Sequence, residues 1–134
     1  MRPLLQSNTR NRLLSFLEPA DFARLEPHLT PVQLRLRDVL IGENAEIDHV
    51  FFVESGIVSI LAPGEDRHVE VGMIGPEGVA GLSVLLGTGR SPNVLMVQAE
   101  GKALRLPAEV LRAAFDERET VRLTLLRYLH CLIL

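Results

Sequence analysis

The stretch of this chain with the most evident chemistry is glycine-rich. It runs Gly75-Pro76-Glu77-Gly78-Val79-Ala80-Gly81, then Leu82-Ser83-Val84-Leu85-Leu86-Gly87, then Thr88-Gly89-Arg90-Ser91-Pro92. A glycine lets the backbone approach an anion closely, and the first turn of a short helix points N–H groups at it. The run is not a P-loop, because it lacks the Gly-Lys-Ser/Thr ending. Gly75 and Gly78 read as a tight turn between strands, and Glu77 as an exposed turn carboxylate.

The other reactive side chains do not assemble into a pattern. The four histidines (His28, His49, His68, His130) and the single cysteine, Cys131, are scattered. No two have metal-ligand spacing on one element. His130 and Cys131 are neighbours, which on a helix point about 100° apart. One cysteine cannot hold an iron–sulfur cluster. Ser55, Ser59, His49 and Asp48 contain the residue types of a hydrolytic set, yet no serine sits in a nucleophile elbow. In Gly81-Leu82-Ser83 the far glycine is replaced by Leu85. No metal and no catalysis are expected.

The whole chain bounds the answer further. Its 134 residues suit one domain, and its 47% hydrophobic and 23% charged composition is that of a folded globular protein. Fourteen Lys+Arg stand against 17 Asp+Glu, for a formal net charge of −3. A nucleic-acid grip normally shows a basic face. Here Lys102 is the only lysine, and neither a basic run nor a helix-turn-helix is visible. The single cysteine fits a reducing cytoplasm. The start, MRPLLQSNTRNRLL, lacks a signal peptide's apolar core. No stretch of about 18 uncharged apolar residues exists, so no membrane span is expected.

The elements that must position these residues follow from periodicity. Residues 9–29 read as two short helices, the first capped by Asn11 or Thr9 and the second opened by Pro19. From Thr30, Val32, Leu34 and Leu36 alternate with polar residues as a half-buried strand does. Val39-Leu40-Ile41, residues 49–53, 57–61, 67–74, 93–99 and 102–106 read as further strands. Turns are expected at Gly42-Glu43-Asn44, Ser55-Gly56, 63–66 and Glu100-Gly101. About seven or eight short strands at this spacing predict a β-barrel or jelly roll over about 30–106. The apolar stretch at 82–86 reads as one or two helical turns.

Pro107 opens a helix to about Phe115, and a longer one runs from about Glu119 to the end. The last helix carries Val121, Leu123, Leu125, Leu126, Tyr128, Leu129, Leu132, Ile133 and Leu134. That is more than one apolar stripe, so it must be buried on two sides: one on the barrel, the other on a partner. It stops in three large apolar residues without a cap, and the expectation is that it continues in a longer protein.

Three segments together resemble the sensor domain of Crp/Fnr transcription regulators. They are His49-Val-Phe-Phe-Val-Glu-Ser-Gly56-Ile-Val-Ser-Ile, Glu70-Val-Gly-Met-Ile-Gly75-Pro-Glu-Gly-Val-Ala-Gly81, and Val97-Gln-Ala-Glu-Gly-Lys-Ala-Leu-Arg-Leu-Pro107. The resemblance spans about Asn11 to the end. It implies a mainly β double-stranded β-helix (jelly roll) of the cyclic-nucleotide-binding type with flanking helices. It also implies homodimerisation along the final helix, with Val121, Leu125, Tyr128, Leu129 and Leu132 at the interface. DNA would be bound only through a C-terminal domain absent from this chain.

Members of that family that bind cyclic nucleotide use a glutamate just after the cassette glycine, for the ribose, and a later arginine, for the cyclic phosphate. With Gly81 as that glycine, Leu82 replaces the glutamate. Asn93 replaces the arginine, and Val94 a small polar residue. Leu82 accepts no hydrogen bond and Asn93 neutralises no phosphate, so cAMP and cGMP are expected to bind poorly or not at all. The expected lining is Gly78, Val79, Ala80, Gly81, Leu82, Ser83, Arg90, Asn93 and Val94, suited to an apolar or partly anionic small molecule of unknown identity. Arg90 could turn inward to meet an anion; otherwise it is a solvated loop arginine. The alternatives are a dimerisation module with a vestigial pocket, a cyclic-nucleotide-binding regulatory subunit, and a cupin-type enzyme, which the scattered histidines oppose.

Overall fold

A computed structural model describes residues 5–86 and 89–133, except for the side chains of 86 and 130–133. Two short helices come first, α1 (Arg12–Phe16) and α2 (Pro19–Leu25). The Asn11 side chain caps α1 by accepting from the Leu14 N–H, and Pro19 fills the first turn of α2, where no donor is needed. Helical spacing turns Leu13, Leu14, Leu17, Phe22 and Leu25 into the core.

The strands are β1 (Thr30–Leu34), β2 (Val39–Ile41), β3 (His49–Ala62), β4 (Val69–Ile74), β5 (Val79–Ala80) and β6 (Val94–Pro107). They form one antiparallel sheet in the order β1-β6-β3-β4, with β2 also on β6 and β5 also on β3. The spine is the long β3–β6 pair, from His49 opposite Pro107 to Leu61 opposite Val94. Val50 to Val53 are a continuous buried run, because this end of β3 is covered on both faces. The architecture is the jelly-roll-like one expected. The sheet is not closed into a barrel, however: among the described residues no pairing joins β4 to β1.

The turns expected at Ser55-Gly56 and Glu100-Gly101 are instead bends inside continuous strands. The register shifts between Val53 and Val58, and Gly56 has φ +89°. A Cβ on Gly56 would lie 2.5 Å from the Ala99 carbonyl oxygen, and one on Gly101 would lie 2.0 Å from that of Ser55. Facing glycines let the two backbones touch and bulge together, so the strands among the described residues number six rather than seven or eight.

After β6 come α3 (Ala108–Glu117) and α4 (Glu119–Ile133). Their junction is tied to α2 by Asp21, which is fully buried. Asp21 accepts from Arg118 Nε at 2.7 Å and from the Thr120 hydroxyl. Val121 and Leu125 are buried in the chain's own core, at 0% and 1% exposure. They are therefore not surface that a second subunit could reach. Among the described residues the outward leucines of α4 are Leu123 and Leu126, at 44% and 48%. Tyr128 and Leu129 are half-buried against the core. Leu132 lies within α4, with its side chain outside the described residues.

Candidate functional site

A cavity of about 300 Å³ lies between β4, the Gly81-Leu82-Ser83 corner, the Ser91–Asn93 turn and α4. Val79, Gly81, Leu82, Ser83 and Asn93 line it, together with Tyr128 and Leu129 from α4. Gly78, Ala80 and Val94 are buried outside the lining. Ala80 is paired with Phe51 in the sheet.

Arg90 is exposed and turned elsewhere. Its guanidinium donates to the Asn44 carbonyl at 2.8 Å and pairs with Glu46 at 3.5 Å. It borders a separate cleft with Arg112 and Glu109. The structure therefore brings together the cassette corner and Asn93 and leaves Arg90 out.

The corner owes its shape to glycine. Gly81 has φ +98°, and a Cβ there would come within 2.9 Å of Ile41. It is followed by a 3-10 turn, Leu82–Leu86, held from below by Arg112 donating to the Val84 carbonyl at 2.7 Å. On the opposite wall, the Ser91 hydroxyl donates to the Asn93 carbonyl at 2.6 Å and accepts the Asn93 N–H at 3.2 Å. That local ring presents Asn93 and uses the serine's one donor.

Among the described residues, none that lines the cavity carries a formal charge. The polar side chains are those of Ser83, Ser91, Asn93 and Tyr128, and the remainder is apolar: Ile60, Val71, Met73 and Leu95 among others. The Tyr128 hydroxyl accepts the Val79 N–H at 3.3 Å. Burial, with the nearby Glu77 charge adding to it, pushes this phenol above the ordinary tyrosine value, and the Val79 donor works the other way. Tyr128 is thus a protonated phenol at neutral pH, with its own proton still to give.

Sequence reading missed the part of the wall that comes from far away in the chain. Tyr128 and Leu129 appeared only as interface residues, and Val71 and Met73 only as an alternating strand. Val71 and Met73 are exposed at 59% and 53%, forming the lip of the cavity along edge strand β4. Asn11 is more than a helix cap. It is fully buried, and its amide donates to the Val53 and Gly78 carbonyls, both at 2.7 Å.

The serines and histidine of the candidate hydrolytic set are not assembled. His49 and Ser59 lie far apart along β3, opposite Pro107 and Met96, and Ser55 accepts the Lys102 N–H at 3.0 Å. Among the described residues no three of His, Cys, Asp and Glu converge on a metal-sized space, and no helix is long and apolar enough to cross a membrane.

Residues 31–118 match the family model for the cyclic nucleotide-binding domain. The chain belongs to that family. The Gly81 corner and the other described walls of the cavity, apart from Tyr128 and Leu129, lie within the matched stretch, and the jelly-roll-like sheet is the family's fold. The N-terminal domain of a transcriptional regulator from Streptomyces coelicolor A3(2) is similar at 26% identity, over 92% of this chain and 87% of that one, with a TM-score of 0.67. This agrees with the Crp/Fnr-like character of the sequence. The regulatory subunit of a cAMP-independent protein kinase A from Trypanosoma brucei is similar in fold, with a TM-score of 0.74 at 16% identity. That match covers 88% of this domain but 43% of the subunit. The c-di-GMP responsive global regulator CLP of Xanthomonas campestris is similar in fold at 19% identity and a TM-score of 0.64, over 84% of this chain and 55% of that one. No curated protein matches the chain in sequence.

Proposed function

We propose that this domain is the effector-sensing and dimerisation part of a Crp/Fnr-like transcription regulator, and that its cradle does not hold cAMP or cGMP in the family's usual way. DNA contact belongs to a domain outside this chain, and the setting is the cytoplasm. The observation that carries the reading is the uncharged lining of the cavity. A cyclic phosphate buried there keeps its charge and meets no cation. Each missing charged partner costs roughly 1.5–3 kcal/mol, or one to two decades in affinity. A small, largely apolar effector with one or two hydrogen-bonding groups suits Ser83, Asn93 and the Tyr128 hydroxyl.

The mechanism is a population shift. The ligand shares its space with Tyr128 and Leu129, so any arrangement of α4 that enlarges or closes the cavity binds it differently. The difference in affinity is the free energy available to move α4. The outward leucines Leu123 and Leu126, three residues apart, offer a second copy of α4 an apolar contact. The protein's role is regulatory rather than catalytic.

Titration calorimetry with cAMP and cGMP tests this. The expected result is no heat of binding at micromolar ligand; a micromolar dissociation constant overturns the reading. A second reading, a dimerisation module with a vestigial pocket, is favoured by the bond already made between two lining residues, Val79 and Tyr128. It predicts a dimeric mass in sedimentation and no thermal shift from a panel of metabolites.

A further inference from the structure

Tyr128 also walls another cavity, a groove of about 640 Å³ between α1 and α4. Helical spacing builds both walls. Arg12 and Phe16 stand one turn apart on α1; Thr124, Arg127 and Tyr128 share a face of α4. Phe16 is 73% exposed, the most exposed large hydrophobic side chain among the described residues.

The charges are just as open. The ion pairs among the described residues are made by Arg24, His68, Arg90 and Arg118. Arg12 and Arg127 are exposed and have no side-chain partner among the described residues. The one carboxylate on the rim, Glu77, is turned onto its own loop and accepts the Gly75 N–H at 3.1 Å.

We propose that this groove is a second ligand site, for an amphipathic anion with an apolar chain and a single terminal carboxylate. The apolar part packs on Leu13, Phe16 and Tyr128, and the carboxylate meets the guanidinium groups of Arg12 and Arg127. The volume falls in the range of small-molecule sites, which pair a mainly apolar wall with a few placed polar groups. Guanidinium suits a carboxylate through charge-assisted, two-pronged bonding. Tyr128 walls both the groove and the cradle, so occupancy of one is felt at the other. The inference stands apart from the cradle reading, since none of its other residues line that cavity.

The test uses a property of the composition: one tyrosine and no tryptophan. Intrinsic emission therefore reports Tyr128 alone. The probe is decanoate, kept below its micelle threshold, with decanol as the uncharged control. The expected result is a saturable change in emission with decanoate. Decanol, and decanoate on Arg12→Gln or Arg127→Gln, should bind roughly tenfold or more weakly. Both arginines are exposed, so the variants keep the fold, which circular dichroism verifies. Equal affinity for decanol and decanoate, indifference to both substitutions, or no saturable response overturns the proposal. A null cAMP titration leaves it untouched, so the two readings fail separately.

Discussion

Asn11 and Tyr128 hold the two ends of one peptide unit: the Asn11 amide donates to the Gly78 carbonyl, and the Val79 N–H donates to the Tyr128 hydroxyl. One partner caps the N-terminal helix and the other lies on the C-terminal helix, 117 positions apart (128 − 11). The strand leading into the cradle is therefore gripped from both terminal helical segments at once.

Asn11→Asp isolates the Asn11 side of that grip. The aspartate keeps the cap on Leu14 but replaces two donors with acceptors facing the Val53 and Gly78 carbonyls. Roughly 1–3 kcal/mol per unsatisfied buried group is expected, measured as a lower urea midpoint. A buried carboxyl among carbonyls has a raised pKa. Its protonated form restores one donor, so the penalty should shrink as pH falls. A variant as stable as the parent would show that the two bonds contribute nothing net.

Gly78→Ala probes the contact itself. A Cβ at Gly78 would sit 2.0 Å from the Tyr128 hydroxyl oxygen and 2.7 Å from the ring carbon bearing it. The ring must leave, at roughly 1–3 kcal/mol of overpacking. Tyr128→Leu makes room, so the double variant should be clearly more stable than the sum of the singles predicts, a coupling that urea unfolding of all four proteins measures. Simple additivity would mean that the turn moves instead of the ring.

The pH dependence of Tyr128 has a definite sign. Its phenol ionises above the ordinary value of 10.0 in the folded chain, because burial disfavours the phenolate. The unfolded chain gives up that proton more readily. The resulting stability is fully present below about pH 10 and is lost as pH rises through the folded value. Phenolate absorbance reads this without interference, since there is a single tyrosine. Tyr128→Phe should remove this contribution to the alkaline loss of stability, and should cost roughly 1–3 kcal/mol at neutral pH by orphaning the Val79 N–H.

Reinstating the family's charged pair tests the account of the cradle. Leu82→Glu with Asn93→Arg supplies an acceptor for a ribose hydroxyl and a cation for a cyclic phosphate. The double variant should bind cAMP at least roughly tenfold more tightly than the parent, by calorimetry. No gain would mean that the backbone corner at Gly81 is itself unsuited to the nucleotide.

Dimerisation through α4 makes its own prediction. Leu123→Glu with Leu126→Glu places charge on the outward stripe while leaving Val121 and Leu125 in the core. The expected outcome is a monomer in sedimentation with an unchanged urea midpoint per chain at low concentration. A dimer that persists would put the interface elsewhere.

These sites show which parts of the molecule the chain displays locally. Asn11, Pro19 and Pro107 announce their helices because capping and fixed φ act within a few residues. The cassette corner was legible for the same reason: Gly81 is needed by its own φ. The bends at Gly56 and Gly101 were not, because a glycine dipeptide between alternating segments looks like a turn until its partner strand is known. On α4, periodicity separates a stripe with Val121 and Leu125 from one with Leu123 and Leu126. It does not say which of the two faces the chain's own core. Tyr128 falls beside the cradle only through tertiary packing, which no window around residue 128 contains.

The crease at Gly56 and Gly101 has an evolutionary consequence. Side chains in a strand alternate with period two, so gaining or losing one residue would normally turn every later side chain inside out. Here the three register shifts between Val53 and Val58 act as a slip joint. A length change in the outer half of the sheet, where Ile60, Val71, Met73 and Leu95 surround the cavity, can be taken up at the crease. The ligand chamber can thus be remodelled in size and chemistry while the half anchored to the helices keeps its register and its core.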